Sequence, residues 1–437
     1  MIKAFKVDVN QIHFDITSVE LYGAYNRELP EGQTPPAPQP AYGRAKSGRK
    51  NVKQIGLGLN VTADRGVPVG HRPLHGNAAE SPVHLDNLRA LAKTLGKTDF
   101  LYIADTKLDT TDNLLAIVAA KGFFLCGGAL PPHLQEEYRK QKRGGRLHGV
   151  DYFPKSQAKL PPEQRDTYKA VETTAVLRGL VERRTVRVKY RLIFVWSEAK
   201  ARQEADTRER HNEQIGKEFE AIERNLNTYS LTTEEKVRRR LESAKARYAE
   251  GDLFEYTLTQ DKQGVLQLAW KLNAQKLQRA KELDGVYVLK TNLPVQRCPT
   301  AQALSMYKEQ SQVERRFHHC KGPLAVTPMF LEKPERMAGL LCILVWALMV
   351  LALMKRQTRR SLKGKPMYGL YPENRPSPAP TGPAILKCFR SLCIVILKQH
   401  GKVSRRLADP NPTQRKLLDL LGMPPDGLQT FTRRCGK

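Results

Sequence analysis

Acidic residues are in short supply in this chain. Its 437 residues carry 44 Asp and Glu against 73 Lys and Arg, a formal net charge of +29 at pH 7, with a pI near 9.9. That balance favours a polyanionic partner, because Lys and Arg gain by displacing counterions from phosphates. Cysteine is scarce as well: seven residues (126, 298, 320, 342, 388, 393 and 435), odd in number and without a CxxC pair. This argues against a disulfide framework and against a four-thiolate zinc site. Of ten histidines only His318 and His319 are neighbours, and His71 and His75 fall in a Gly/Pro-rich stretch, so no structural metal cluster is expected. The opening MIKAFKVDVN lacks the apolar core of a secretory signal, which makes the reduced cytosol the expected compartment. Long apolar runs are missing too, with one exception. Met337 to Met354 spans 18 residues without a charge, at the lower limit for a membrane span. A helix buried in a large domain gives the same pattern, and core helix is the expectation here.

What is present is a globular chain of two or three domains, 40% hydrophobic and 27% charged, too apolar to be mainly disordered. Ile12, Phe14 and Ile16 alternate in IHFDI, predicting a half-buried strand with His13 and Asp15 on its other face. A Pro/Gly-rich loop follows from Pro30 to Gly48. Ile55, Leu57, Leu59 and Val61 alternate in a second strand, Asp64-Arg65-Gly66 reads as a turn, and Val67 to Leu74 returns as a third. Ser81 and Pro82 open a helix with Leu85, Leu88, Ala92 and Leu95 on one face and Gly96 past its end. FLYIAD is a short buried strand, Asp112 is the expected cap of the helix NLLAIVAAK, Gly122 closes it, and FFL is a fifth strand.

The composition shifts after Leu130. Strand signals recur at 185–196 and 253–271. Between them Ala199 to Glu250 holds 12 Lys/Arg and 11 Asp/Glu, a balance that reads as solvated helices with i, i+4 ion pairs. GVYVLKT (285–291) returns to strand, helices are expected near 300–320 and 334–355, and the tail carries a Pro-rich stretch and an apolar helix from Ile385 to Lys398. The expected division is 1–128 and 285–356 as two parts of one core, 129–284 as an α+β insertion, and 357–437 as a basic helical tail.

Three acids stand out by placement. Asp15 lies on the first strand, Asp105 ends the fourth, where ligands of open sheets gather, and Glu314 lies on a helix with Tyr307 and Lys321 at intervals of seven. Residues seven apart share a helix face to within about 20°. Gln310 falls near the same stripe. A carboxylate beside an amine and a phenol suits a site that holds a metal and grips a phosphate; an amphipathic surface helix gives the same spacing. Asp109, Asp112, Glu20 and Glu309 are read as caps or exposed acids. Arg44, Lys46, Arg49, Lys50 and Lys53, and the run from Lys355 to Lys365, are basic stretches suited to duplex contact.

Taken in order, HFDITSVELYG, KQIGLGLNV, GVPVGHRPLHGNAAES, FLYIADTKL and YKEQSQVERRFHHCK resemble the insertion-sequence DDE transposases of the family-four type. Tyr307, Glu314 and Lys321 match that family's third motif, Y-x2-R-x3-E-x6-K, while Gln310 stands where the motif has Arg. The resemblance implies an α/β, ribonuclease-H-like mixed sheet flanked by helices and interrupted by an α+β insertion domain. It implies Asp15, Asp105 and Glu314 as catalytic carboxylates holding two Mg2+ or Mn2+ ions about 3.5–4 Å apart. Tyr307, Gln310, Lys321, Arg44, Lys50 and Arg315 are then the expected DNA contacts. The expected partner is double-stranded DNA, bound by a homodimer, in a cytoplasmic, nucleoid-associated protein with no membrane role. Only 14 residues precede Asp15, so a truncated, non-catalytic DNA-binding copy is the alternative expectation.

Overall fold

The computed structural model describes the chain except residues 26–34, 36, 44, 45, 47, 50, 229, 323, 325, 327, 328, 400, 401 and 424–437. Arg44, Lys50 and much of the Pro/Gly-rich loop therefore lie outside the described residues. The chain divides into two compact units, Met1–Phe123 with Lys308–Lys437, and Phe124–Tyr307.

The first unit opens with β1 (Gln11–Glu20), the two-residue β2 (Ala41–Tyr42), β3 (Lys53–Thr62) and β4 (Pro68–Leu74). Then come α1 (Glu80–Leu95), β5 (Leu101–Ala104) and α2 (Thr111–Ala119). β3 runs antiparallel to β1, with Asp15 opposite Leu59, and β4 runs antiparallel to β3. β5 is parallel to β1, so the order in this unit is β4-β3-β1-β5. Three antiparallel strands followed by a helix and a parallel strand on the far side of the first is the ribonuclease-H-like order. The fold is mixed α/β, as the strand and helix signals imply.

Several local details differ from the sequence expectation. β1 is not half-exposed: His13 is fully buried along with Ile12 and Phe14. α1 begins at Glu80 after Ala79, which has no capping side chain, and Ser81 falls inside the first turn, its carbonyl accepting from Asn113 Nδ2 at 3.0 Å. α2 is capped by Thr110, whose Oγ1 accepts from the Asn113 amide at 3.3 Å, leaving Asp112 in the first turn. Gly96 does adopt the left-handed conformation that ends α1 (φ 69°).

The second unit contains β6 (Phe123–Gly128), α3 (Pro132–Arg143), β7 (His148–Gly149), β8 (Tyr168–Val181) and β9 (Arg184–Ser197). α4 (Glu198–Arg224), α5 (Glu234–Lys245), β10 (Phe254–Gln260), β11 (Leu266–Leu272), α6 (Ala274–Lys281), β12 (Val286–Thr291) and α7 (Thr300–Lys308) follow. Its main sheet is antiparallel in the order β6-β12-β9-β8-β7, with Tyr138, Phe194 and Val288 in its core. The charged segment forms helices with the expected pairs, Lys217–Glu213 at 2.6 Å and Arg238–Glu234 at 2.6 Å among them. β10 and β11 form a separate hairpin on which Phe219, Phe254 and Trp270 pack edge to face or tilted.

The first unit resumes with α8 (Ser311–Lys321), α9 (Pro334–Leu362), α10 (Gly382–Cys388), β13 (Ile394–Gln399), β14 (Lys402–Leu407) and α11 (Pro412–Leu421). The helix expected over 300–320 is thus two helices, broken at Glu309-Gln310, where amides reach back only three residues (Gln312 N to Glu309 O, 2.8 Å). The apolar helix expected over Ile385–Lys398 is likewise corrected. Helix ends at Cys388, and the β-branched run Ile394-Val395-Ile396 forms a strand paired with β14.

Among the described residues α9 is the one helix long and apolar enough to cross a membrane. Leu341, Leu344, Val345 and Leu348 on one side of it are buried with Ile55, Leu57, Leu59 and Val61 of β3 and with Val313, Phe317 and Cys320 of α8. Ile343, Trp346 and Val350 on the other side are exposed.

Side chains of β3, β5 and α1 form a buried polar set. Asn60 and Asn87 exchange side-chain hydrogen bonds (2.8 and 2.9 Å), and Asn87 Nδ2 also donates to the Tyr102 hydroxyl at 2.9 Å. Replacing Asn87 by Leu strands the Asn60 amide and the Tyr102 oxygen. We expect a stability loss of about 2 kcal/mol or more, read as a lower urea midpoint with an unchanged m-value.

Candidate active site

Asp15 and Asp105 come together. Asp105 directly follows β5, and its carboxylate caps the short helical turn Thr106–Leu108 by accepting from the Lys107 amide at 3.0 Å. β1 runs parallel to β5, which carries Asp15 to the same end of the sheet. The two carboxylates line one small cavity of about 10 Å3, together with Phe14, Glu80, His84 and Lys107. That is room for one water or one bare cation.

The electrostatics of this cavity are unbalanced. Asp15 Oδ1 accepts from the Ile16 amide at 2.7 Å and from Lys46 Nζ at 3.2 Å, yet its carboxyl is held above the usual value. Burial is the main cause, Asp105 adds to it, and Lys46 with the Ile16 amide only partly opposes it. His84 is neutral here. Its ring is buried and pushed down to about 4 by desolvation, against the pull of Asp105. His84 Nδ1 lies 3.2 Å from the Tyr102 hydroxyl, which also accepts from Asn87 Nδ2 at 2.9 Å.

Glu314 is not gathered with the two aspartates. It lies on α8, one turn past the break, and is exposed, because Val313, Arg316, Phe317 and Cys320 are the residues that α8 turns inward. Among the described residues no group of three His, Cys, Asp or Glu is placed to hold a metal ion. The aspartate pair supplies hard oxygen donors of the kind Mg2+ takes, but the three-carboxylate set for two ions is not assembled. Glu80, at the start of α1, lines the cavity instead. Its sequence signal is weak, since an acid in the first turn of a helix is ordinary.

The remaining expected contacts divide. Tyr307 lies on α7 as the last residue of the second unit, whereas Gln310, Glu314 and Lys321 belong to the first. Both ends of the Gln310 amide bond within the protein. Its Nε2 donates to the Phe14 carbonyl at 2.7 Å and its Oε1 faces His13 Nδ1 at 3.2 Å, so it ties α8 to β1 and is not free to hold DNA. This also assigns the His13 tautomer, with Nδ1 donating to Gln310 and Nε2 accepting from Gln11 at 3.1 Å. Lys321 is half-buried, its ammonium lowered by burial and by Lys46 and supported by Glu20. It therefore shares the neighbourhood of Lys46 and the far end of β1. Arg315 is exposed on another side of α8, with its guanidinium on Ser311 (3.3 and 3.2 Å).

No family model matches the chain, and no curated protein matches it. Among solved structures, the cryo-EM structure of the piggyBac transposase synaptic complex with hairpin DNA aligns with 79% of this chain and 47% of that one, at 6% identity and a TM-score of 0.33. The chain thus spans about half the length of that transposase.

His13 and His84 give the fold an acid sensitivity. Both are lowered from 6.5 to about 4. Between those values the unfolded chain binds two protons that the folded chain does not, so stability falls as the pH drops through that window. Asp15, raised, acts in the opposite sense and offsets part of the loss. We expect the urea midpoint to fall between pH 7 and pH 4.5, and His13→Gln to flatten that fall.

Proposed function

We propose that the protein is a DNA transposase of the DDE type, cutting phosphodiester bonds at the ends of a mobile element and transferring the strands to target DNA. The observation that carries this reading is the pair Asp15 and Asp105. Asp15, midway along β1, lies beside Asp105, which directly follows the adjacent parallel strand β5 of a ribonuclease-H-like sheet, and both line a cavity where burial disfavours the charged form of Asp15. The chain's net charge of +29 supports a nucleic-acid substrate.

In this proposal Asp15 and Asp105 hold Mg2+ or Mn2+, and Glu314 is the third ligand, as the resemblance implies. The metal, when bound, supplies Lewis-acid activation of the attacking water or 3′-hydroxyl and charge stabilisation at the phosphate. The protein's own groups do the positioning. The Lys107 amide orients Asp105, and the Ile16 amide orients Asp15. Lys46 neutralises Asp15 from a half-exposed position, and Lys321 nearby is placed for a DNA phosphate. The duplex partner, a homodimer on DNA and a nucleoid-associated location in the cytoplasm belong to the same proposal. A second reading, a non-catalytic DNA-binding relative, is favoured by one observation: Glu314 is exposed and outside the aspartate cavity.

A Mg2+-dependent nicking assay on a duplex bearing the cognate terminal repeats separates the two. Asp105→Asn should lower cleavage at least about 100-fold while leaving duplex affinity within about twofold, because only ligation is lost. Cleavage at the wild-type rate in this variant would remove the aspartate pair from the chemistry, and binding without cleavage by the wild type would favour the second reading. Glu314→Gln is expected to match Asp105→Asn. If Glu80→Gln fails while Glu314→Gln cleaves normally, Glu80 is the third ligand.

A further inference from the structure

A second concentration of charge lies beside the start of β1, four residues before Asp15. The turn joining β3 to β4 is anchored there, with the Ala63 amide donating to the Gln11 carbonyl at 3.1 Å. Arg316 of α8 reaches this turn: its Nε donates to the Gly66 carbonyl at 2.7 Å and its Nη2 to the Arg65 carbonyl at 2.8 Å. Gly66 has φ +66°, a conformation that favours glycine, and a Cβ there would stand 3.2 Å from Arg316 Nη2, crowding the guanidinium. One turn apart on α9 stand Lys355 and Arg359. Arg359 is fixed in the same manner, Nε to the Pro380 carbonyl (3.0 Å) and Nη2 to the Ala379 carbonyl (2.8 Å).

Backbone carbonyls orient these guanidiniums without neutralising them. Asp64, next to Arg65 in the turn, is already bound by Arg356, whose Nε donates to its Oδ2 at 2.6 Å and whose Nη1 and Nη2 donate to the Phe5 and Lys6 carbonyls at 2.9 Å. Arg65, Arg315, Arg316, Lys355 and Arg359 are thus gathered by a turn and two helices, and among the described residues no ion pair joins any of them to a carboxylate. Their mutual repulsion is visible in their acidities. Burial and the four arginines push the Lys355 ammonium down to about 7, and burial with Arg315 and Arg359 pushes Arg316 to about 10. Folding keeps like charges together at a cost that a bound anion would reverse.

We propose that this cluster is a binding site for a phosphate group, occupied by the sugar-phosphate backbone of duplex DNA. The anion site stands on the geometry alone, and only the choice of DNA as its source rests on the function proposed above.

Two measurements on the full chain, both without divalent metal, test it independently of cleavage. The first is calorimetric titration with sulfate, an anion that does not itself titrate between pH 6 and pH 9. Binding is expected at pH 6, weakening by roughly tenfold or more toward pH 9, because the bound anion raises Lys355 and must draw in its proton. The charged groups facing Lys355 are Arg65 of the turn, Arg315 and Arg316 of α8, and Arg359 of α9. Tyr371 beside Arg359 is the other titratable group, and Tyr371→Phe controls for it. Lys355→Met should abolish the pH dependence and weaken sulfate binding, yet raise the thermal midpoint, since a repelled, half-buried cation is removed. A purely structural lysine would not give that opposite pair of shifts.

The second measurement is duplex affinity by anisotropy across a salt series at pH 6. Lys355→Met and the exposed Arg315→Ala should each reduce the slope of log K against log salt by about 0.9. Absence of sulfate binding, or a Lys355→Met protein that binds sulfate like the wild type, overturns the site. Sulfate binding with duplex affinity and salt slope unchanged in both variants overturns DNA as its ligand.

Discussion

The apolar layer between β3 and the helix pair α8–α9 is the constraint on which the first unit's chemistry depends. Ile55, Leu57, Leu59 and Val61 project from β3 at every second residue, and Val313, Phe317, Cys320, Leu341, Val345 and Leu348 close over them. Each fully buried aliphatic side chain in such a layer is worth about 1.5–3 kcal/mol. Together they set the height and rotation of α8, and the Gln310 amide then locks its first turn to the backbone of β1. Once α8 is held this way, Lys321 falls near Lys46 and Glu20, Arg316 falls on the β3–β4 turn, and Glu314 is left facing solvent.

Two regions of opposite imbalance result. Beside the end of β5 two aspartates share a cavity in which burial, with the charge of Asp105 adding to it, outweighs the Lys46 ammonium, so that Asp15 holds its proton more tightly than an ordinary carboxyl. Beside the start of β1 five cations share a site that lacks negative charge, so that Lys355 gives up its proton readily. Both are costly for an isolated fold, and each would be relieved by an oppositely charged ligand. A cation beside Asp15 and a phosphate beside Lys355 are both ligands that a nucleic-acid-processing protein meets together.

Much of the fold was legible in the sequence because the signals were local. Alternation at Ile55, Leu57, Leu59 and Val61 marked a strand, Gly96 marked the end of α1, and Asp64-Arg65-Gly66 marked the hairpin turn. The misreadings came where local signals competed. Leu386 to Leu397 is apolar enough for a helix, but the β-branched Ile394-Val395-Ile396 decides for strand. Thr110 displaces Asp112 as the cap of α2 because both can accept, and the backbone turns two residues sooner. His13, read as solvent-facing from the alternation of IHFDI, is buried because both faces of β1 are covered.

By itself the sequence determined most of the elements, the excess of positive charge, and the placing of Asp15 on the first strand and of Asp105 at the end of the fourth, since periodicity and composition are properties of short stretches of chain. Only the tertiary structure decided which distant residues meet. It broke the 300–320 helix at Glu309-Gln310, so that Tyr307 and Glu314 stand on two different helices. It brought Glu80 and His84 into the aspartate cavity, and it collected Arg65, Arg316, Lys355 and Arg359 from three separate segments. The physical reason is that burial and charge compensation depend on packing across the chain, which no spacing within a single helix or strand encodes.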